Sequence, residues 1–157
     1  FTIMLENQYT VGDTVTIGTF QGEVISLSLK TTKLRALTGE VNIIANRNIA
    51  SVINHSIQNS LAVVNVSIDH NENIDKVYKI LNKLFERLNT EISDVKGKIS
   101  IAGIDSLNYN SIDIMISVET KPMKHLMVQR ILLKEIKDEF DKNKIMIPYQ
   151  QVVLHNG

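Results

Sequence analysis

The apolar residues of this chain change their spacing near Asn59-Ser60, and this change limits the fold to two unlike parts. Before it, short runs such as Thr14 to Ile17 alternate polar with apolar residues and end at turn residues, which is typical of strands. After it, the stretches Ile74 to Leu88 and Val128 to Phe140 carry apolar residues at helical spacing, with charged residues between them. We therefore predict an all-β part up to residue 60 and a mixed α and β part after it.

Turn residues divide the first part into several short strands. We predict turns at Gly12-Asp13, Gly22 and Gly39, because glycine tolerates backbone geometry that other residues avoid. Asn46 is predicted to lie in a turn that ends a later strand, since asparagine also tolerates left-handed geometry. The residues from Val24 to Arg35 are predicted to form one continuous strand-like run. Several short strands separated by such turns favour a small, strongly bent β-barrel.

The second part is predicted to contain four strands and two helices in the order β, α, β, β, α, β. This is the split βαβ or ferredoxin-like plan, in which two helices pack on one face of an antiparallel sheet. The predicted elements are a strand at Leu61 to Ile68, a helix from Ile74, a strand beginning at Ile99, a strand at Ile112 to Val118, a helix from about Lys124 to Asn143, and a final strand from Pro148 through Leu154.

Composition and charge exclude several classes of protein. The 157 residues include 17 Lys+Arg and 17 Asp+Glu, so the formal net charge is zero. Surfaces that bind nucleic acids or anionic membranes concentrate positive charge, and the balance argues against both. The chain contains no Cys, which excludes disulfides, thiolate metal sites and Cys nucleophiles.

No apolar run reaches the roughly 18 to 20 residues of a membrane helix. Because the chain opens on the apolar stretch Phe1 to Leu5 rather than on Met, we expect it to be a piece of a longer polypeptide.

The best candidate for a metal site is Asp69-x-Asn71-x-Asn73, which imitates the opening of a calcium loop. Ile74 and Ile80 stand where that loop needs its glycine and its closing glutamate, so a helix N-cap is the preferred interpretation. The four His residues are far apart in the sequence, and no nucleophile, base and orienting group occur together in a known pattern. We therefore predict no catalytic residue, no metal site and no cofactor.

Read as a whole, the chain resembles the soluble cytoplasmic region of the small-conductance mechanosensitive channel (MscS) family. The resemblance covers almost the whole chain in the correct order. Two positions depart from the family pattern, since Ala45 and Gln150 stand where the family often has Pro. The segments that carry the resemblance are Glu6 to Val15, Gly22-Glu23-Val24, Leu29 to Arg35, Gly39-Glu40, Ile43 to Asn46, Asn54-His55-Ser56, Phe140-Asp141 and Ile145 to Gln151.

The resemblance implies an α+β fold of four segments. Residues 1–5 would be the remnant of the pore-lining membrane helix, 6–60 an Sm-like small β-barrel domain, 61–147 a ferredoxin-like (βαββαβ) α/β domain, and 148–157 a C-terminal strand and tail. In the family, seven subunits assemble and their C-terminal strands form a closing barrel, which gives Val152, Val153 and Leu154 the role of an assembly strand. The structural turns of the family pattern would be Gly12, Asp13, Gly22, Gly39, Asn46, Asn54 and Pro148.

The implied function is that of a non-enzymatic vestibule on the cytoplasmic side of a bacterial cell-membrane channel. Such a channel releases ions and small solutes on hypo-osmotic shock. Its partners would be other copies of the chain, in a homo-heptamer, and the permeating ions and solutes. Contact with the lipid bilayer would occur only through membrane helices that the chain lacks, and nucleic acid would not bind. Two alternatives stay open at this point: a stand-alone ferredoxin-like sensor of small molecules, and an Sm-like RNA-binding module.

Overall fold

A computed structural model describes residues 8–148 of the chain. The chain divides between Ser60 and Leu61 into two compact units, named here the β unit and the α/β unit. Within residues 8–148 the fold is α+β, with two α-helices. Neither of these helices is long and apolar enough to cross a bilayer.

The β unit is an antiparallel sheet of five short strands in the order β4-β3-β2-β1-β5. Its core is formed by alternate residues, including Val15 and Ile17 of β1, as the alternation predicts. Within residues 8–148 the sheet is open, with β4 and β5 as its edges, so a closed barrel is not confirmed. The elements are β1 (Thr14–Ile17), β2 (Phe20–Leu27), β3 (Thr31–Arg35), β4 (Val41–Ala45), a 3₁₀ turn (Asn46–Asn48) and β5 (Ile53–Asn54).

The prediction of a turn at Gly22 is wrong. Gly22 lies inside β2, opposite Val15, and the turn between β1 and β2 uses Gly18 instead, whose φ is 60°. A Cβ atom on Gly22 would lie 2.5 Å from the carbonyl oxygen of Arg35. Glycine is therefore required at position 22 because another backbone approaches it closely, not because the chain turns there.

The predicted single run from Val24 to Arg35 is also wrong, because β2 and β3 are separate strands joined by a tight turn. Ser28 closes this turn. Its N–H donates to the Thr31 carbonyl at 2.9 Å, and its Oγ accepts from the Thr31 N–H at 3.0 Å. The alternation of polar and apolar residues continues across the turn, and so it concealed the reversal of the chain.

The α/β unit packs two helices against a three-stranded sheet in the order β6-β8-β7. Alternate residues of β8 from Ile112 to Val118 face the helices and are buried, which confirms the predicted one-faced strand. Strand β7 begins four residues earlier than the predicted Ile99. The elements are β6 (Ser60–Asp69), α1 (Ile74–Glu91), β7 (Val95–Leu107), β8 (Ser111–Thr120) and α2 (His125–Lys142).

Both predicted helices are present, and each buries one apolar face. The side chain of Asn73 accepts a hydrogen bond from the Lys76 N–H at 3.0 Å, so the predicted N-cap of α1 is confirmed. Helix α1 buries Val77, Leu81, Leu84, Phe85 and Leu88, and α2 buries Val128, Leu132, Ile136 and Phe140.

After α2 the chain returns to the sheet. The Asp69 N–H, at the end of β6, donates to the Met146 carbonyl at 3.0 Å. Pro148 is the last described residue and is not part of a strand. The predicted final strand beyond it, with Val152, Val153 and Leu154, lies outside the described residues, as does the predicted helix remnant at 1–5.

Candidate functional site

The entry segment, residues 8–13, leads into β1 and is held by two hydrogen-bond networks. In the first, the buried Tyr9 hydroxyl lies 3.1 Å from Oγ1 of Thr32 in β3. Thr32 Oγ1 donates to Oδ1 of Asn46 at 2.7 Å. A threonine hydroxyl carries one hydrogen, so Tyr9 must be the donor to Thr32. The network therefore has a single direction, from Tyr9 through Thr32 to Asn46.

Asn46 extends this network to the turn between β2 and β3. Its Nδ2 donates to the carbonyls of Ser28 and Leu29 at 2.9 and 3.1 Å, and its backbone N–H donates to the Lys30 carbonyl at 2.8 Å. The side chain is buried and uses both of its amide atoms, as a buried amide must. Asn46 thus ties the 3₁₀ turn, the β2–β3 turn and the entry segment together.

The second network, named here the Asp13–Asn54 clasp, joins the entry segment to the end of the β unit. Asn54 Nδ2 donates to Oδ2 of Asp13 at 3.1 Å and to the Gln8 carbonyl at 3.0 Å. Its Oδ1 accepts from the Ser56 N–H at 2.9 Å, and Ser56 Oγ accepts from the Thr14 N–H at 2.9 Å. Residues that enter and leave the β unit are therefore fixed to each other.

Gly12 shapes the backbone between these networks. Its φ is 100°, a value that favours glycine, and its N–H donates to the Val24 carbonyl at 2.8 Å. The Val24 N–H in turn donates to the Asp13 carbonyl at 2.8 Å, so this turn is fastened to β2 on both sides. Oδ2 of Asp13 also accepts from the Thr10 N–H at 3.1 Å, which closes the turn.

Comparison with known protein families shows the family to which this chain belongs. The family model for the mechanosensitive ion channel beta-domain matches residues 1–57, and the model for the C-terminal region of the mechanosensitive ion channel MscS matches residues 62–147. The chain belongs to the MscS family of mechanosensitive ion channels. This is a family of channels, not of enzymes.

Individual relatives of the MscS family agree with the models. The small-conductance mechanosensitive channel of Caldanaerobacter subterraneus subsp. tengcongensis is 30% identical, with 98% of this chain and 55% of that protein covered. An uncharacterized MscS family protein of Buchnera aphidicola subsp. Schizaphis graminum is 29% identical, with 92% and 51% covered. The crystal structure of Helicobacter pylori MscS in the closed state has a TM-score of 0.80 at 20% identity, with 99% and 62% covered. The chain spans about half the length of these two curated relatives.

The structure places the turn residues of the MscS pattern at several points. Asp13 and Asn54 meet in the clasp, Gly12 lies beside them, and Asn46 reaches the entry segment through Thr32. The other three lie elsewhere: Gly39 in the turn between β3 and β4, with φ of 98°, Gly22 inside β2, and Pro148 after α2.

Sequence reasoning did not select Tyr9 and Thr32. Both are fully or almost fully buried, but they are 23 residues apart and no spacing rule connects them. The signal that could have found Thr32 is its inward position on a strand. It lies two residues before the buried Leu34, and its partners on the neighbouring strands are the apolar Leu27 and Ile44. A buried hydroxyl needs a partner, and Asn46 was already singled out.

The α/β unit contains a separate polar cluster around Asp113. The carboxylate accepts from Ser67 Oγ at 2.5 Å, from Ser106 Oγ at 2.7 Å and from Asn108 Nδ2 at 2.9 Å. These hydrogen bonds, with that from Ser67 strongest, hold the pKa of Asp113 below its ordinary value. Because Ser67, Ser106 and Asp113 lie on β6, β7 and β8, the cluster joins all three strands.

No metal centre is visible in the part of the chain that the structure describes, since residues 8–148 contain no group of three or more His, Asp or Glu side chains placed to hold an ion. The polar groups of the entry segment instead satisfy one another and the backbone. These hydrogen bonds are suited to holding residues 8–13 in place on the β unit.

Proposed function

We propose that this chain is the cytoplasmic vestibule region of a bacterial mechanosensitive channel that releases ions and small solutes on hypo-osmotic shock. The observation that carries the proposal is that both units match MscS family models, in order, over nearly all residues. The relatives contain about as much additional chain, which leaves room for membrane helices. On this proposal the full-length protein lies in the cell membrane, with this region on the cytoplasmic side.

We further propose the finer division of the fold that the resemblance implies. Residues 1–5 would be the end of the pore helix, 6–60 an Sm-like barrel, 61–147 a ferredoxin-like domain and 148–157 the assembly strand and tail. The strand order β6-β8-β7 supports the ferredoxin-like plan, because the third strand of this unit lies between the first and the second. The five-stranded antiparallel β unit is compatible with a small barrel whose closure involves residues outside 8–148.

Assembly into a homo-heptamer is part of the proposal. Several large apolar side chains of the β unit are exposed, among them Phe20 at 45% and Ile43 at 64%. An isolated unit would leave these side chains in water, whereas contacts between copies would cover them. The permeants would be ions and small solutes, lipid would be met only through the membrane helices, and nucleic acid would not bind.

The entry segment would be the point at which the β unit holds the pore helix. By resemblance, this segment follows the last membrane helix, so any force on that helix acts first on residues 8–13. The Tyr9–Thr32–Asn46 network and the Asp13–Asn54 clasp both resist displacement of this segment. We therefore assign to the two networks the role of a fixed attachment.

The proposal can be tested with the full reading frame that contains this chain. Expressed in a bacterium without its own mechanosensitive channels, it should restore survival of hypo-osmotic shock and give tension-activated currents in membrane patches. Asp13→Ala removes the carboxylate that accepts from Asn54 and from the Thr10 N–H and should shift the tension threshold, while Asp105→Ala, at an exposed position of β7, should not. A full-length protein that gives neither survival nor current refutes the channel function. Equal thresholds for the two variants refute only the role of the clasp.

Assembly has its own test, because light scattering can be measured on this chain at increasing concentration. We expect larger species to form, and fewer of them from a chain that ends at Pro148 and lacks Val152 to Leu154. If the chain stays monomeric or dimeric at every concentration and the truncation changes nothing, then the C-terminal strand is not an assembly element.

A further inference from the structure

Strand β7 lies at an edge of the sheet of the α/β unit, since within residues 8–148 it pairs only with β8. The outer side of an edge strand offers backbone N–H and C=O groups to which a strand of another molecule can bond. Residues 99–104 of β7 increase this risk, because they include three Ile and contain no charged residue and no Pro. A chain that assembles with copies of itself therefore needs to keep this edge from pairing.

The backbone of β7 does not follow that of β8 residue by residue. Thirteen residues of β7, Val95–Leu107, lie opposite the nine residues 112–120 of β8, so four residues of β7 are extra. Two of the four lie between Lys96 and Ser100, and the other two are Ala102 and Asp105. Each such bulge interrupts the ladder and increases the local twist. A strand of another copy would have to follow all of these interruptions to form a continuous ladder on this edge.

Two of the bulges contain a glycine whose backbone differs from that of a regular strand. The φ angle is 82° at Gly97 and 144° at Gly103, values that favour glycine. A Cβ atom at either position would meet nothing within 4 Å beyond the adjacent residues, so conformation rather than crowding requires glycine there. In the first bulge the Ile99 N–H donates to Oδ1 of Asn89 in α1 at 2.9 Å. This donor is therefore used by the helix and is not offered to another strand.

Positive charge adds to this protection at the start of residues 99–104. Lys96 and Lys98 precede this stretch at exposed positions of β7. A strand added along the edge would remove water from their ammonium groups, and a second β7 in parallel register would bring like charges together. Lysine on an edge strand is one of the ways in which natural proteins prevent pairing between sheets.

We propose that β7 is a blocked edge, whose bulges and two lysines prevent a strand of another copy from pairing along residues 99–104. Copies of this chain then join through surfaces other than this edge. The blocked edge is a property of the α/β unit itself, so it does not depend on channel function.

Deleting Ala102 and Asp105 together removes two of the bulges without changing the partners of the residues around them. The remaining residues from Ile101 to Leu107 keep their present partners on β8, now in a regular ladder. We expect this deletion variant to pair through β7. The β7 amides that exchange fast in dilute solution should then exchange at least tenfold more slowly at high concentration. In the natural chain the exchange of the same amides should not depend on concentration, and hydrogen exchange followed by mass spectrometry measures both.

Three results of this measurement would overturn the proposal. Slower exchange at high concentration in the natural chain would mean that copies already pair at β7. Protection of all β7 amides in the dilute natural chain would mean that another segment of the same chain covers the edge. A deletion variant that melts like the natural chain and shows no slowing would mean that the bulges do not block pairing.

The lysines allow a second test that leaves the backbone unchanged. Lys96→Gln with Lys98→Gln should shorten the lag time of fibre formation by about threefold, as measured by thioflavin fluorescence, because residues 99–104 then lack their flanking positive charges. The matched control is Lys79→Gln with Lys83→Gln, which removes two positive charges from exposed positions of α1. Equal lag times for the two variants would also overturn the proposal.

Discussion

Replacing Thr32 by Val removes the central hydroxyl of the entry-segment network while keeping the shape of the side chain. Thr32 is fully buried, and the change deletes its bonds to Tyr9 and Asn46. A buried hydrogen bond contributes about 1 kcal/mol, and leaving a buried polar group without a partner costs about 1–3 kcal/mol. The Tyr9 hydroxyl loses its acceptor and Asn46 loses one of its several hydrogen bonds, so we expect the β unit to lose about 2–3 kcal/mol of unfolding free energy.

The companion change, Tyr9→Phe, distinguishes a hydrogen-bond effect from a general packing effect. In the natural chain it removes one bond and leaves Thr32 bonded to Asn46, so it should cost about 1 kcal/mol. In the Thr32→Val background the Tyr9 hydroxyl already lacks its acceptor, and its removal should then be neutral or stabilising. The sign of the effect depends on the background, as expected for two directly coupled residues.

Calorimetry can measure both effects if it resolves the melting transition of the β unit. For a unit of this size, 1 kcal/mol corresponds to about 4–8 °C, so Thr32→Val should lower the transition by roughly 10 °C or more. Tyr9→Phe should lower it by about 4–8 °C in the natural chain and not at all in the variant. If Tyr9→Phe costs the same in both backgrounds, then the two hydroxyls are not coupled and the Tyr9–Thr32 hydrogen bond does not contribute to stability.

Three further changes test other parts of the structure. Gly22→Ala should destabilise the β unit by about 1–3 kcal/mol, because the added methyl group meets the Arg35 carbonyl. Chemical denaturation would show this as a lower midpoint, and an unchanged midpoint would contradict the close approach. Asp113 has a lowered pKa in the folded chain, so its hydrogen bonds contribute stability that is full above the unfolded pKa of about 4 and is lost as the pH falls through the lower folded value. Asp113→Asn should therefore flatten the loss of stability below pH 4 in a series of melting curves, and an identical pH profile would rule this out. Asn73→Ala should cost about 1 kcal/mol through loss of the α1 cap, with Asn71→Ala as a control that leaves the cap intact, and equal urea midpoints for the two would refute the cap assignment.

The helices and the one-faced strand of the α/β unit could be predicted from sequence, because each depends on spacing within a short window. In α1, Val77, Leu81 and Leu84 repeat at helical intervals and all face the core. Asn73 was recognisable as a cap for the same reason, since its partner Lys76 is three residues away. Local patterns of this kind are read directly from the chain.

The entry-segment site was predictable only in part, because its contacts join residues distant in sequence. Asn46 and Asn54 were predicted to be turn residues, whereas Asn54 lies in β5, and their partners Thr32 and Asp13 lie 14 and 41 residues away. Gly22 shows the limit for single residues. A glycine required by a neighbouring backbone has the same appearance in the sequence as a glycine required by a turn.

The charges of the two helices bear on how a vestibule built from this chain would treat ions. Arg87 bonds to Glu91 and Glu135 at 2.7 and 3.0 Å, and Lys134 bonds to Asp138 at 2.7 Å. Opposite charges at such distances cancel well within the screening length of about 8 Å in physiological salt. A ring of copies multiplies whatever net charge each copy presents, so a chain with zero formal charge, several of whose helix cations are paired with carboxylates, gives little to multiply. We therefore expect such a vestibule to select permeants by size. The measurement is the reversal potential of the full-length channel in a salt gradient. A potential that lies far from zero, and that moves towards zero when this region is deleted, would contradict the expectation.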